Sequence, residues 1–500
     1  MEAVAVIKLI NTKTILMNSK WTIILLFFSI SLFSQNENLN YKKKVLESSE
    51  VEFLSSYYNQ DGSHSVIGGG IGTEKLNDET ASIVLSTPLS ADAVLTIDVG
   101  ISAYTSASSS NTNPFSSTGA SKGGGDDDDD DDRGSEGHGS GSITPPTGTP
   151  WQASSGASKS DELIYMNASY SHSSKSRNFI WNAHGSVSNE YDYTSFGFGA
   201  GISQLFNKKN TEISLSGSVY MDTWRPIYPT ELHEFELYGR NFLNQGFFSG
   251  VTVLDQNGNA TNTYLPSQFS SYPIINRNSY ALTLGFSQIL FKKLQIALSA
   301  DILAQEGLLS TPYHRIYFSD KPQYFIGNAN SIANYTSPQN KNVFRLADDV
   351  ERLPSTRFKI PIGVRLNYYL NEIFTLRTFY RYYSDDWGIT SQTVNFELPI
   401  KLNRSFTIAP MYRLYNQTQA TYFAPYNQHV STETYYTSDY DLAAFHSTQI
   451  GGSISYSDMF TTFKIGSFGL KNIDLRYNRY NRSDLLTANI VSFSMKFIGN

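Results

Sequence analysis

The strongest constraint in this chain is a period of two that recurs from segment to segment. Tyr280, Leu282, Leu284 and Phe286 alternate with Ser279, Ala281, Thr283, Gly285 and Ser287. Phe358, Ile360, Ile362, Val364, Leu366 and Tyr368 alternate with Lys359, Gly363, Arg365 and Asn367, and Val394, Phe396, Leu398 and Ile400 with Thr393, Asn395, Glu397 and Lys401. Side chains on a strand point to opposite faces in turn, so each segment reads as a strand with one apolar and one polar face. Composition agrees. Charged residues are 17% of the chain, below the roughly 25% usual for soluble domains, and 33 Tyr, 31 Phe and 35 Gly suit pleated strands and turns.

Connection lengths then choose among all-β architectures. Turn signals at 90–93, 207–210, 291–294, 370–373 and 403–404 join neighbours closely, whereas 107–158, 223–276, 307–355 and 421–443 are long. Short and long connections alternate if 189–192, 384–388 and 481–484 are tight turns on the long side. That asymmetry belongs to outer-membrane barrels, with short periplasmic turns and long extracellular loops. Strands are expected at 47–60, 80–89, 93–106, 159–173, 177–189, 192–206, 211–222, 277–290, 294–306, 356–369, 373–384, 388–402, 405–419, 444–457, 472–482 and 485–497. The expected fold is therefore an antiparallel transmembrane β-barrel of about sixteen strands (14–18), with both termini periplasmic. A sandwich would need strands facing two apolar layers and a propeller a 40–50-residue repeat, and neither pattern is present.

Trp21–Phe33 is an apolar run after Lys20 and before Ser34-Gln35-Asn36, the order of a secretory signal. Residues 1–34 are expected as that signal, with Met17 a more usual start than Met1. Residues 35–46 form a short periplasmic lead and 47–500 the barrel. At the other end Val491, Phe493, Met495 and Phe497 share one face, similar to the terminal strand by which barrel-assembly machinery recognises its clients. The expected setting is the outer membrane of a Gram-negative bacterium, with lipid and that machinery as partners. The aromatic surplus suits both membrane–water interfaces.

Candidate sites follow from charge. Asp126, Asp127, Asp128, Asp129, Asp130, Asp131 and Asp132, with His138, lie in a Ser/Gly-rich loop at 107–158. Such oxygens attract Ca²⁺ or, with the imidazole, a transition metal; a solvated acidic loop accounts for them as well. Asp61, His64 and Glu74 flank the glycines at 68–72 as a weaker mixed-ligand set; those glycines suit turns or a lumen plug and precede no helix that could cradle phosphate. With the apolar faces outward, Lys359, Arg365, Arg377, Arg381 and Arg413 line the lumen with Glu397 and Lys401, as do Asp98, His184 and Asp301. A basic wall favours anionic solutes, and a salt-bridged scaffold wall would look the same. The chain has no Cys, which removes thiolate chemistry, and no basic stripe suggests nucleic acid.

Read together, Tyr57-Tyr58-Asn59-Gln60-Asp61-Gly62-Ser63-His64-Ser65, Gly69-Gly70-Ile71-Gly72-Thr73-Glu74-Lys75-Leu76, Pro88-Leu89, Asp98-Val99-Gly100 and Tyr104-Thr105-Ser106-Ala107-Ser108-Ser109 resemble the Bacteroidota outer-membrane proteins grouped as domain-of-unknown-function family 3570. The resemblance implies an envelope redox or metal-handling setting, with a lipoprotein or thioredoxin-like protein as partner, and assigns no catalytic residue. The expected function is a non-enzymatic pore or scaffold without a bound cofactor. The alternatives are a surface protein binding cations or a partner through the Asp-rich loop and, third, an outer-membrane hydrolase.

Overall fold

The computed structural model describes residues 44–104, 161–190, 192–335 and 342–499. The segments expected as signal peptide and Asp-rich loop, including Asp126–Asp132 and His138, lie outside these residues.

Sixteen strands form one closed sheet: β1 (Glu50–Asp61), β2 (Leu76–Pro88), β3 (Ala93–Tyr104), β4 (Asp161–Ser173), β5 (Phe179–Asn189), β6 (Tyr193–Phe206), β7 (Thr211–Trp224), β8 (Asn276–Phe291), β9 (Leu294–Gly307), β10 (Thr356–Tyr369), β11 (Thr375–Asp385), β12 (Thr390–Glu397, resuming at Ile400–Lys401), β13 (Phe406–Gln417), β14 (Phe445–Ser457), β15 (Phe468–Arg482) and β16 (Thr487–Gly499). Each pairs antiparallel with the next, and β16 returns to β1 with Glu50 opposite Ile498 and Asp61 opposite Thr487. Closure leaves no unpaired edge, the condition for a sheet to cross lipid. The break in β12 falls at Leu398-Pro399, where the proline cannot donate to the ladder.

The two faces follow the alternation. Phe198, Ile213, Leu284, Ile362, Phe396, Leu414 and Ile450 stand outward around the perimeter and stay 41–60% exposed. Leaving a large apolar side chain in water forgoes about 1.5–3 kcal/mol. Seven of them rival the whole stability of an ordinary domain, so this belt requires lipid. No helix among the described residues is long and apolar enough to cross a membrane. Inward, β6 presents Gly197, Gly199 and Gly201, and a Cβ at Gly199 would lie 2.2 Å from the His184 ring that crosses it.

One rim carries short turns. Two of them share Leu-Asn-x-x-Phe: Asn371 Oδ1 accepts from the Ile373 and Phe374 amides, and Asn403 Oδ1 from the Ser405 and Phe406 amides. Both described chain ends lie at this rim, where the Gly499 amide bonds Ser49 O at 2.7 Å.

At the other rim four long connections, 62–75, 225–275, 308–355 and 418–444, fold together into a cap. Within it are helix α1 (Thr230–Tyr238), a four-stranded sheet in the order Val343–Arg345, Tyr324–Gly327, Val253–Asp255, Ala260–Thr261, and the pair Arg315–Ile316 with Asp349–Val350. Phe242, Phe248, Ile326 and Phe344 are fully buried in one cluster, and Leu232 and Val350 in another. The sequence reading treats 223–276, 307–355 and 421–443 as long polar connections and the glycines at 68–72 as turns or a lumen plug; the structure packs these stretches into one body, because their apolar residues meet across loops without any period.

Candidate functional site

The lumen is the first place where the fold concentrates polar side chains. Register puts Lys359, Arg365, Arg377, Arg381, Glu397, Lys401 and Arg413 on one face, opposite the outward apolar residues. Asp98, His184 and Asp301 share that face on their own strands. Arg365, Phe379, Asn395 and Arg413 lie at one level across β10–β13, and Arg381 is one inward position further along β11. Three strand spacings of about 4.8 Å put Arg365 and Arg413 about 14 Å apart along the wall.

The charges divide into two groups. Arg377 pairs with Glu397 at 3.3 Å; Lys496 pairs with Glu52 at 2.8 Å, and Lys471 with Glu50 at 2.7 Å. Arg357, which sequence reasoning passed over, meets Asp385 at 2.5 Å and lies 4.3 Å over the Trp387 ring. Arg365, Arg381 and Arg413 form no ion pair among the described residues. Arg365 rests on the Phe379 ring at 5.7 Å and Arg413 donates to Gln449 Oε1 at 3.4 Å, while all three stay exposed to the lumen. A cavity of about 620 Å³ opens between the walls, lined by Ser56, Thr80, Arg377, Glu397, Thr407 and Arg476 among others. Arg476 was legible from its alternation with Leu475 and Tyr477.

The cap meets this lumen at its mouth. Gln417 Nε2 donates to Asp441 O at 2.9 Å and Ala443 O at 2.6 Å, and Arg482 holds Asp441 and Asp484. Within the cap Arg315 bonds Glu231 at 2.9 Å with both side chains fully buried, and reaches Ile67 O at 3.2 Å. Three loops thus close on one guanidinium. Gly69, at φ +72°, lets the first loop approach: a Cβ there would lie 2.7 Å from the Tyr317 ring. Burial pushes the Asp348 carboxyl up to about 6 against the pull of Arg345, 3.5 Å away. Asp61, His64 and Glu74 do not converge as ligands: the His64 ring stacks on Tyr440 at 3.7 Å, its amide bonds Glu74 Oε2 at 3.1 Å, and Asp61 is exposed.

A closed sixteen-stranded antiparallel barrel with an apolar outside and a polar lumen defines a transmembrane β-barrel of porin-like architecture. The chain belongs to the family described as "Protein of unknown function (DUF3570)", whose pattern matches residues 25–484. No curated protein matches it in sequence. Among solved structures it is similar to a bacterial polysaccharide outer membrane secretin, at 9% identity and TM-score 0.40, covering 91% of this chain and 100% of that one. It is also similar to a BenF-like porin from Pseudomonas fluorescens Pf-5, at 8% identity and TM-score 0.36, covering 91% and 99%. A mutant ferric enterobactin receptor from Pseudomonas aeruginosa matches at 12% identity and TM-score 0.36; 88% of this chain aligns with about half (54%) of that receptor.

Proposed function

We propose that the protein is a non-enzymatic outer-membrane pore of a Gram-negative bacterium, carrying small hydrophilic anions through a lumen whose outer mouth is covered by the loop cap. In this reading the short turns are periplasmic and the cap faces outward. The observation that carries it is the set of Arg365, Arg381 and Arg413, exposed to the lumen and without acidic partners among the described residues. A scaffold wall would neutralise such charges, as Arg377 and Glu397 do; three uncompensated guanidiniums instead set a positive potential along the path.

Planar-bilayer recording of the purified protein tests this. The expected reversal potential in a KCl gradient indicates anion preference, and the triple substitution R365Q/R381Q/R413Q moves it toward the cation side. An unmoved reversal potential refutes the anion reading. No conductance even after the cap is loosened refutes the pore.

A further inference from the structure

His314, Glu351 and Asp439 come from two different loops of the cap. One potential ligand atom from each, an imidazole nitrogen and two carboxylate oxygens, lies within 4.8 Å of the others. His314 and Glu351 are 8% and 2% exposed, and Asp439 is partly buried. His314 Nδ1 is buried and has no hydrogen-bond partner among the described residues, with Glu351 Oε1 3.5 Å away. An unsatisfied buried ring nitrogen costs about 1–3 kcal/mol and calls for a missing partner. A tetrahedral ion with bonds of about 2.0–2.2 Å holds its ligand atoms about 3.4 Å apart. The His314–Glu351 spacing is already close to that value, and the Asp439 ligand atom lies within 4.8 Å of both.

The rest of the surroundings fits a cation. Glu351 is held in place by hydrogen bonds from Thr437 Oγ1 at 2.5 Å and the Thr311 amide at 2.7 Å, the outer-shell support that metal-binding carboxylates use. A cavity of about 430 Å³ adjoins Asp439 and is bordered by Tyr58, Gln60, Glu74, Asp441 and Arg482, giving room for water ligands. Burial, then repulsion from Asp441, pushes the Asp439 carboxyl up to about 7. For His314 burial works downward, but the neighbouring carboxylates of Glu351, Asp439 and Asp441 outweigh it and raise the imidazole. Both groups therefore hold their protons more tightly than usual, and a bound cation would have to displace those protons.

We propose that His314, Glu351 and Asp439 bind one divalent first-row transition-metal ion, with solvent from the adjoining cavity completing its shell. An imidazole with two carboxylates suits Zn²⁺, Mn²⁺ or Fe²⁺, whereas Ca²⁺ and Mg²⁺ favour all-oxygen sites. The ion ties loop 308–355 to loop 418–444. The site is independent of whether the lumen conducts.

The test is a Zn²⁺ titration of the full-length, chelator-stripped barrel in detergent, by calorimetry or a competing dye. One tight site is expected, unaffected by excess Ca²⁺ and retained when Asp126–Asp132 are deleted. His314→Ala and Asp439→Asn should each weaken it at least tenfold. Heat-modifiable gel mobility verifies that each variant still forms the barrel; if His314→Ala does not, Asp439→Asn alone decides. Absence of a tight site, its loss with the Asp run, or undiminished affinity in a folded variant overturns the assignment.

Discussion

Glu231→Gln isolates the forces that hold the cap. Arg315 Nε lies 2.9 Å from Glu231 Oε1 and Nη2 lies 3.4 Å from Oε2, with both residues at zero exposure. Glu231 Oε1 also accepts from the Ala347 amide at 3.1 Å, and the guanidinium sits 5.4 Å over the Phe344 ring. The substitution keeps volume and one acceptor but removes the negative charge that pairs with Arg315 in this buried site. Removing one partner of a buried pair costs about 3–5 kcal/mol. At about 1.4 kcal/mol per tenfold, the open population of the cap rises by about a hundred- to a few thousand-fold. Glu231 lies on α1 and Arg315 on the short strand Arg315–Ile316, both within the cap connections, so the barrel itself should be untouched. Protease added to the cap side of reconstituted protein should cleave within 225–275 and 308–355 faster in proportion, because cleavage under fast reclosing tracks the open population. Heat-modifiable mobility should stay wild-type, and E231L/R315M should recover most of the protection, since an apolar pair of similar volume is often neutral. Cleavage within about threefold of wild type in both Glu231→Gln and Arg315→Met would refute the cap as a unit held by this pair.

Three further outcomes are expected. Leu284→Arg, on the outward face, should cost about 2–4 kcal/mol in lipid-vesicle unfolding, whereas Thr283→Arg, one residue away and opposite Asp301 in the lumen, should cost little; equal costs would contradict the assignment of faces. Gly199→Val should lose about 1–3 kcal/mol by overpacking against His184 and the Gly217 carbonyl, with His184→Ala restoring part of it in urea unfolding. Asp348, raised by burial, favours the protonated form in the folded cap, so its contribution to stability is lost as pH rises through about 6 and regained as pH falls toward its unfolded value. Loop protection against protease should therefore increase between about pH 7 and pH 5, and Asp348→Asn should reduce that slope, leaving the part due to Asp439.

The barrel was legible because closure exposes every strand to lipid on one face and water on the other, so period two is enforced along each span. Where that contrast fades, boundaries blur. β2 starts at Leu76 and not at 80, and β15 at Phe468 and not at 472, because Asn77-Asp78-Glu79 and Gly469 sit at wet rims without alternation. The proline break within β12 went unread for the same reason: Leu398 continues the apolar face up to it. Parity also gave the faces of Arg365, Arg381 and Arg413, but not which arginines have partners. Glu397 opposite Arg377 is a matter of cross-strand register, which a single strand does not encode. In the cap the code fails altogether. His314, Glu351 and Asp439 are 37 and 88 positions apart in sequence and meet only when two loops close.

Barrel and cap follow opposite solvent rules, and that opposition separates their stabilities. The barrel puts Leu284 and Ile450 outward and Arg365 inward; the cap buries Phe242 and Phe344 and pairs buried Arg315 with Glu231, as a water-soluble domain does. Lipid holds the first, and a few desolvated pairs and aromatic clusters hold the second. Many ties between cap and wall run through connection 418–444. Gln417 binds its backbone, Arg482 its Asp441, and Trp387 accepts from the Thr421 amide at 2.8 Å while donating to Thr356 O at 3.0 Å. The same connection supplies Asp439 to the proposed ion site and Tyr436 to Asp349 of the neighbouring loop at 2.5 Å. A perturbation of 418–444 is thus felt by the cap core and the lumen mouth together. One at Glu231 loosens the cap and leaves the wall intact.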